Sequence, residues 1–478
     1  MKKCVLSVRR SFAIAIFLIT TPLMHAEKTY PEEGWEDKQS PFASERAVPG
    51  GRIVISSGAV PKSLNYLLDN NTFSAQVFGL MYESLLGMDG ETGEYAPGLA
   101  STWTVSDDGC VFTFTLDPET QWSDGMPITA DDVKWTFDAI MNPANMTGPH
   151  KVALAIFTNT PPEVLSSNII RFTASEVHWR NLGAVGGFSI MPKHCFENAD
   201  FNRINFDFPV VSGPYRIGEM RENLHLDMAR RRDWWANNKE SNKFIYNFDT
   251  IRYLFFTDSD NAWESFRKGR FDLLPIYTAR IWARETTGER FDRKWVIKRE
   301  IHNRKPIGFQ GFAMNIRRPP YDDVNVRKAL AHLLDRKTLN ETMMYSAYFL
   351  HKSYFEDIYD EENPCENKFY DHDPDTAARL LKEAGWEYNN ASGTLEKNGR
   401  PLVLKFVSNS GTSDKFLARY KNDLAKLGIG LEIERKDWAA WARDMDEYNF
   451  DITWAAWSAG LRKDPEGMWA SVHADNRG

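Results

Sequence analysis

The last third of the chain constrains the fold most. A strand-like run from Leu402 to Ser408 is followed by a helix-spaced run from Asp414 to Leu427 and a second strand from Gly430 to Arg435. A helix from Trp438 to Tyr448 and a third strand from Asp451 to Trp457 complete the pattern. Parallel strands need a long crossover, and an intervening helix supplies it, so this alternation predicts an α/β lobe with a largely parallel sheet. The chain has 478 residues, about three domains' worth at roughly 150 residues each.

Upstream the pattern is more mixed. After a polar tether (Glu27 to Gly51), Arg52 to Ser57 reads as a strand, and Thr72 to Leu86 carries helix-spaced Phe73, Val77, Leu80, Met81 and Leu85. Asp107-Asp108-Gly109 is a turn signal. Beyond it Cys110, Phe112, Phe114 and Leu116 alternate as in a half-buried strand, with Cys110 a small buried hydrophobe. Asp131 to Ile140 is helical. So are Asn261 to Lys268 and Asn325 to Leu334, whereas Thr250 to Phe256 reads as a strand. Asp373-Pro374 pairs an N-cap residue with proline at the first helical position, and Gly385 marks the stop.

Residues 1–26 read as a secretory signal: Lys2, Lys3, Arg9 and Arg10 precede an apolar run from Ser11 to Met24, ending at Ala26. Cys4 precedes that run, so it is not the lipidated cysteine of a lipoprotein. Cleavage leaves Cys110, Cys195 and Cys365, enough for one disulfide at most, with a Cys195–Cys365 bridge left open.

A formal net charge of −8 argues against a nucleic-acid binder, which needs a basic face to replace phosphate counterions. No two of the ten histidines stand three or four residues apart, so no helix presents a paired-histidine metal site. There is no G-x-S-x-G elbow and no phosphate loop. No cofactor and no metal is expected. Aromatic residues make up 13% of the chain, with 16 Trp and 17 Tyr. Such side chains suit ligand surfaces as well as cores.

Three blocks carry a resemblance. The first runs Tyr82-Glu83-Ser84-Leu85-Leu86, Ala96-Pro97-Gly98-Leu99-Ala100, Trp103, Ser106-Asp107-Asp108-Gly109, Phe112-Thr113-Phe114, Trp122-Ser123-Asp124-Gly125 and Thr129-Ala130-Asp131-Asp132-Val133. The second is Ser212-Gly213-Pro214-Tyr215. The third is Asn315, Pro319-Pro320-Tyr321-Asp322-Asp323 and Val326-Arg327-Lys328-Ala329-Leu330 through Asp335-Arg336. Together they resemble the family 5 extracellular solute-binding proteins, receptors of peptide-type ABC importers. Ser353-Tyr354-Phe355-Glu356 is similar to the YejA-like branch. The motif residues themselves read as structural: Thr129 as a helix cap, Pro214 as a fixed entry to a strand, and Trp122 with Gly125 as a packed corner.

The resemblance implies an α/β, two-lobe periplasmic binding protein of the class II type with an extra inserted small domain. Residues 27–87 and 209–309 would form lobe I, 88–208 the inserted domain and 310–478 lobe II. Family members continue past this point and return to the first lobe. That return is missing here, so the sequence reads as C-terminally truncated relative to them. The implied function is capture without catalysis: a monomeric periplasmic receptor takes a peptide between closing lobes and hands it to an ABC permease in the inner membrane.

By resemblance the site lies in the segment Trp454-Ala455-Ala456-Trp457-Ser458-Ala459-Gly460-Leu461-Arg462-Lys463-Asp464. Ligands of open α/β sheets bind beyond the carboxyl ends of strands. The expected ligand-contacting residues are Trp457, Ala456, Ser458, Gly460, Arg462, Asp464 and Trp454. Where family members carry an Asp that pairs with a peptide's α-ammonium, this chain has Gly460, with Arg462 and Lys463 just after and Asp464 as the neighbouring acid. Asp464 serves as the partner if the loop shifts; otherwise the departure points to a peptide with a blocked or uncharged N-terminus, or to anionic groups. The alternatives are a receptor for a nickel complex, haem or oligosaccharide, a secreted glycoside hydrolase, and a chaperone-like binder of unfolded chains.

Overall fold

The computed structural model describes residues 28–58, 63–68, 71–203, 206–256, 258–302, 307–409, 411–457 and 469–471. The expected signal lies outside them. The chain divides into two units, one ending at Pro275 and the other beginning at Ile276.

In the first unit the strands are β1 (Lys28–Tyr30), β2 (Arg52–Ser57), β3 (Leu86–Met88), β4 (Tyr95–Pro97), β5 (Ala100–Val105), β6 (Val111–Leu116), β7 (Glu163–Ser166), β8 (Ile169–Thr173), β9 (Tyr215–Arg221), β10 (His225–Arg230) and β11 (Thr250–Phe255). An antiparallel sheet runs β1-β5-β6-β8-β7. A second runs β2-β11-β10-β9, in which β2 and β11 are parallel. In β6, Phe112, Phe114 and Leu116 face the core while Val111, Thr113 and Thr115 are half-buried, as the alternation predicts.

Cys110 is a correction. It is only partly buried and lies before the strand, because its amide donates to Asp108 Oδ1 at 3.0 Å and belongs to the turn. All three described cysteines are free, so Cys195 and Cys365 form no bridge.

The first helix, α1 (Thr72–Met81), stops earlier than its apolar spacing predicts. The Met81 carbonyl accepts from the amides of Ser212 (3.0 Å) and Gly213 (2.7 Å), and Leu85 O accepts from Gly98 N and Ala100 N. A distant segment takes the carbonyl that a further turn of helix would use. The helix α2 (Ala130–Met141) begins where Thr129 implies. Asp132 Oδ2 accepts from the Thr129 amide (2.9 Å) and hydroxyl (3.0 Å), and Oδ1 accepts from Lys193 N at 3.0 Å. One buried carboxylate thus fastens the helix start to a chain segment sixty residues on.

The motif residues are structural. Tyr82 is buried against Phe78, Phe208 and Trp122, and its hydroxyl donates to Val210 O at 2.8 Å. Glu83 Oε2 accepts from the indole N–H of Trp235 at 2.9 Å and of Trp234 at 3.4 Å. Trp122 closes a corner in which its amide donates to Met126 O.

In the second unit the strands are β12 (Phe309–Met314), β13 (Glu387–Asn389), β14 (Thr394–Lys397), β15 (Arg400–Pro401), β16 (Val403–Ser408), β17 (Gly430–Arg435) and β18 (Ile452–Trp457). The main sheet runs β12-β18-β16-β17; β16 is parallel to both neighbours and β12 is an antiparallel edge. Helices α3 (Val324–Leu333), α4 (Pro374–Glu383), α5 (Asp414–Ala425) and α6 (Trp438–Asp446) accompany it. The parallel sheet expected from the alternation is present. Asp373 caps α4 through Thr376 N at 2.9 Å with Pro374 at the first helical position. The core gathers Leu330, Leu381, Leu404, Phe406, Leu417, Tyr420 and Leu424, all nearly inaccessible to solvent.

Candidate functional site: an aromatic surface at a strand end

β18 is rich in β-branched and aromatic residues, and it lies between β12 and β16, where such side chains pack well. Its register places Trp454 opposite Phe312 and Trp457 opposite Phe309. Residues three apart in a strand point to opposite faces, so the two aromatic pairs have different fates. Phe312 and Trp454 pack at 5.6 Å and continue through Phe406, Tyr420 and Phe416 into the core. On the other face, Thr453 Oγ1 donates to Val407 O and accepts from Trp441 Nε1, which closes the middle of the sheet.

The end of the strand is open. Trp457 is 37% exposed and lies 5.8 Å from Phe309, the rings inclined by 30°. Phe309 also meets Tyr354 at 5.5 Å and His351 at 5.7 Å, and Tyr354 meets Trp469 at 5.7 Å. Phe349 joins through His351, and Phe349 and Trp469 are more than half exposed. The result is a solvent-facing aromatic surface built by four described chain segments.

The Ser353–Glu356 run has a clear local role. Glu356 Oε2 accepts from the amides of Lys352 and Ser353, both at 2.7 Å, and Ser353 Oγ accepts from Phe355 N. This closed turn holds Tyr354 against Phe309. Arg336 donates to His351 O at 3.0 Å and lies over the Phe369 ring; burial pulls the pKa of its guanidinium down. His351 Nδ1 is shielded from solvent and has no hydrogen-bond partner among the described residues.

Of the residues expected from the sequence, Trp457 lies on the open surface. Ala456 is exposed beside it, opposite Gln310, and Trp454 packs against the core. Ser458, Gly460, Arg462 and Asp464 lie outside the described residues. Phe309, Phe349, His351, Tyr354 and Trp469 were not legible as a group, because no spacing in the sequence joins them.

One cluster in the first unit offers metal-type ligands: Glu219, His225 and Asp227. Arg252 forks onto both Asp227 oxygens at 2.6 Å, and Glu219 accepts from Arg221. That pairing makes the group a salt-bridge network on the β9–β10–β11 sheet. Among the described residues no helix is long and apolar enough to cross a membrane.

The described site is an exposed aromatic surface at the end of a strand in a mixed α/β chain, and similarity to known proteins places the chain in a family. The chain belongs to the family whose model, "Bacterial extracellular solute-binding proteins, family 5 Middle", matches residues 94–478. It is 26% identical over 452 residues to "Uncharacterized protein YejA" of Escherichia coli (strain K12), spanning 87% of this chain and 74% of that protein. It is also 26% identical over 481 residues to "Probable peptide-binding protein YejA" of Agrobacterium fabrum, spanning 91% and 77%. Among solved structures, the oligopeptide-binding protein AppA from Bacillus subtilis, in complex with a nonapeptide, superposes with a TM-score of 0.71 at 19% identity over 88% of this chain and 82% of that one. That likeness bears out the two-lobe solute-binding fold.

Proposed function

We propose that this protein is a periplasmic receptor of an ABC importer. It captures peptides and passes them unaltered to an inner-membrane permease. The observation that carries the reading is the exposed Trp457–Phe309–Tyr354 surface at the carboxyl end of a strand in a solute-binding fold. Such a surface takes apolar or aromatic side chains of many shapes, while extended peptide backbone supplies sequence-tolerant hydrogen bonds. AppA, solved with a nonapeptide, supports peptide as the ligand class.

The division proposed from the resemblance is lobe I at residues 27–87 and 209–309, the inserted domain at 88–208 and lobe II at 310–478, whereas residues 276–309 group with the second unit, where Phe309 pairs with Trp457. Pairing of β2 with β11 supports the return of the chain to lobe I after the insertion. Ser458, Gly460, Arg462 and Asp464 stay in the proposed ligand-contacting segment with Trp457 and Ala456. Glu356, the acid of the aromatic turn, already accepts two backbone amides. A free α-ammonium buried there without a counter-charge would be costly. We propose that Asp464 does not supply that charge, and that the ligand has a blocked or uncharged N-terminus or carries anionic groups near Arg462.

Calorimetry with matched free and N-formylated peptides tests this, with mass spectrometry of the recovered ligand. Saturable binding that favours the formylated form, with the peptide intact, is expected. Clear preference for the free amine would overturn the specificity, and converted peptide would overturn the receptor role.

A further inference from the structure

The stretch from Arg290 to His302 differs from the rest of the chain in charge and in packing. It holds five cations (Arg290, Arg293, Lys294, Lys298, Arg299) and two acids (Asp292, Glu300), in a chain whose net charge is −8. From Trp295 to His302 it belongs to no helix or strand.

A few contacts hold it to the second unit. The amides of Trp295 and Val296 donate to Arg290 O at 2.9 Å and 3.1 Å. Val296 is half-buried, and Lys298 Nζ donates to Trp282 O at 2.7 Å while lying over the Trp282 ring. The residues on either side of these anchors are open to solvent. Trp295, Ile297 and Ile301 are 65%, 65% and 70% exposed, and Arg299 between them is exposed as well. Their spacing of two is that of an extended chain with one face on the protein and the other in water.

A single exposed apolar residue is ordinary, but three large ones between positions 295 and 301 mark a surface that meets something else. The charges beside them select what. Glu289 pairs with Arg293 at 2.8 Å, and Glu300 lies 3.8 Å from His302. Lys294 and Arg299 make no ion pair among the described residues. The Arg293 guanidinium also stands 5.1 Å from the Trp295 ring centre, so cation and indole are presented together.

We propose that this stretch docks on the surface of a phospholipid bilayer bearing anionic headgroups. The headgroup phosphates complement Arg293, Lys294 and Arg299. Trp295, Ile297 and Ile301 enter the boundary between headgroups and acyl chains, where indole rings are favoured. Basic side chains lay their aliphatic stems on apolar surface and keep their charges outward, so both sets of side chains serve one plane. A protein partner would have to seat one indole and two isoleucines in matching pockets. A bilayer needs only apolar bulk beside cations, which is what the run offers.

The test is cosedimentation of the full chain with vesicles of phosphatidylcholine alone and of equimolar phosphatidylcholine and phosphatidylglycerol. Binding to the mixed vesicles is expected, falling as sodium chloride rises, with little on phosphatidylcholine alone. Lys294→Gln combined with Arg299→Gln should weaken binding about 25-fold, roughly fivefold for each cation. Trp295→Ala should weaken it about tenfold or more. All three positions are exposed, so circular dichroism and Tm should stay as in the wild-type protein. Equal binding to both vesicles, no binding to either, or variants that bind as the wild type does would overturn the proposal. Dimerisation in vesicle-free buffer that Trp295→Ala abolishes would assign the run to a second copy of the chain and overturn it equally.

Discussion

Trp235 Nε1 donates to Glu83 Oε2 at 2.9 Å, joining a residue of the first sequence motif to one far along the chain. Burial pushes the Glu83 pKa from 4.5 to about 7, against the indole hydrogen bonds and Arg231, which hold it down. The folded state therefore binds a proton more tightly than the unfolded chain does.

From that shift a pH dependence follows. Glu83's stabilising contribution is complete below pH 4.5 and is lost as pH rises through about 7. The loss is at most about 3 kcal/mol. Urea denaturation of Glu83→Gln, which keeps the acceptor oxygen, should show the variant gaining on the wild-type protein between pH 5 and pH 8, by roughly this amount. Parallel pH profiles for the two would refute the assignment.

Asp132 serves three donors with one carboxylate. Asp132→Ala leaves buried N–H groups unpaired and should cost about 2–3 kcal/mol, while Asp132→Asn keeps one acceptor and should cost about half of that. Chemical denaturation at pH 7 measures both.

Gly213 and Gly98 are close-approach positions. A Cβ at Gly213 would stand 2.5 Å from Leu80 O and 3.0 Å from Met81 C, and one at Gly98 would stand 2.5 Å from Ser84 O. Backbone cannot yield as a side-chain tip can. Either glycine to alanine should cost about 3 kcal/mol or more, read as a lowered denaturation midpoint.

Trp457→Ala removes the exposed wall, while Trp454→Ala removes core packing. The first should weaken peptide binding about tenfold or more and leave Tm within a few degrees, as expected for an aromatic contact residue outside the core. The second should lower Tm strongly, by the several kcal/mol of a large-to-small core change. Calorimetry and thermal unfolding of both variants separate the two roles.

What the sequence determined by itself was local. The strand–helix alternation from Leu402 to Trp457, the Asp373-Pro374 helix start and the alternation of Phe112, Phe114 and Leu116 all depend on neighbours a few residues away, and all appear in the structure. Backbone geometry imposes those periods, so they survive without tertiary context.

Tertiary structure alone decided where α1 stops, since the amides of Ser212 and Gly213 take the Met81 carbonyl. It also decided which of two similar tryptophans is core and which is surface. Trp454 and Trp457 differ only in the face that the register with Phe312 and Phe309 assigns them. The aromatic surface joins Phe309, Tyr354, Trp457 and Trp469 from separate segments. Pairing across such separations is fixed by sheet register and packing, and neither leaves a period in the chain.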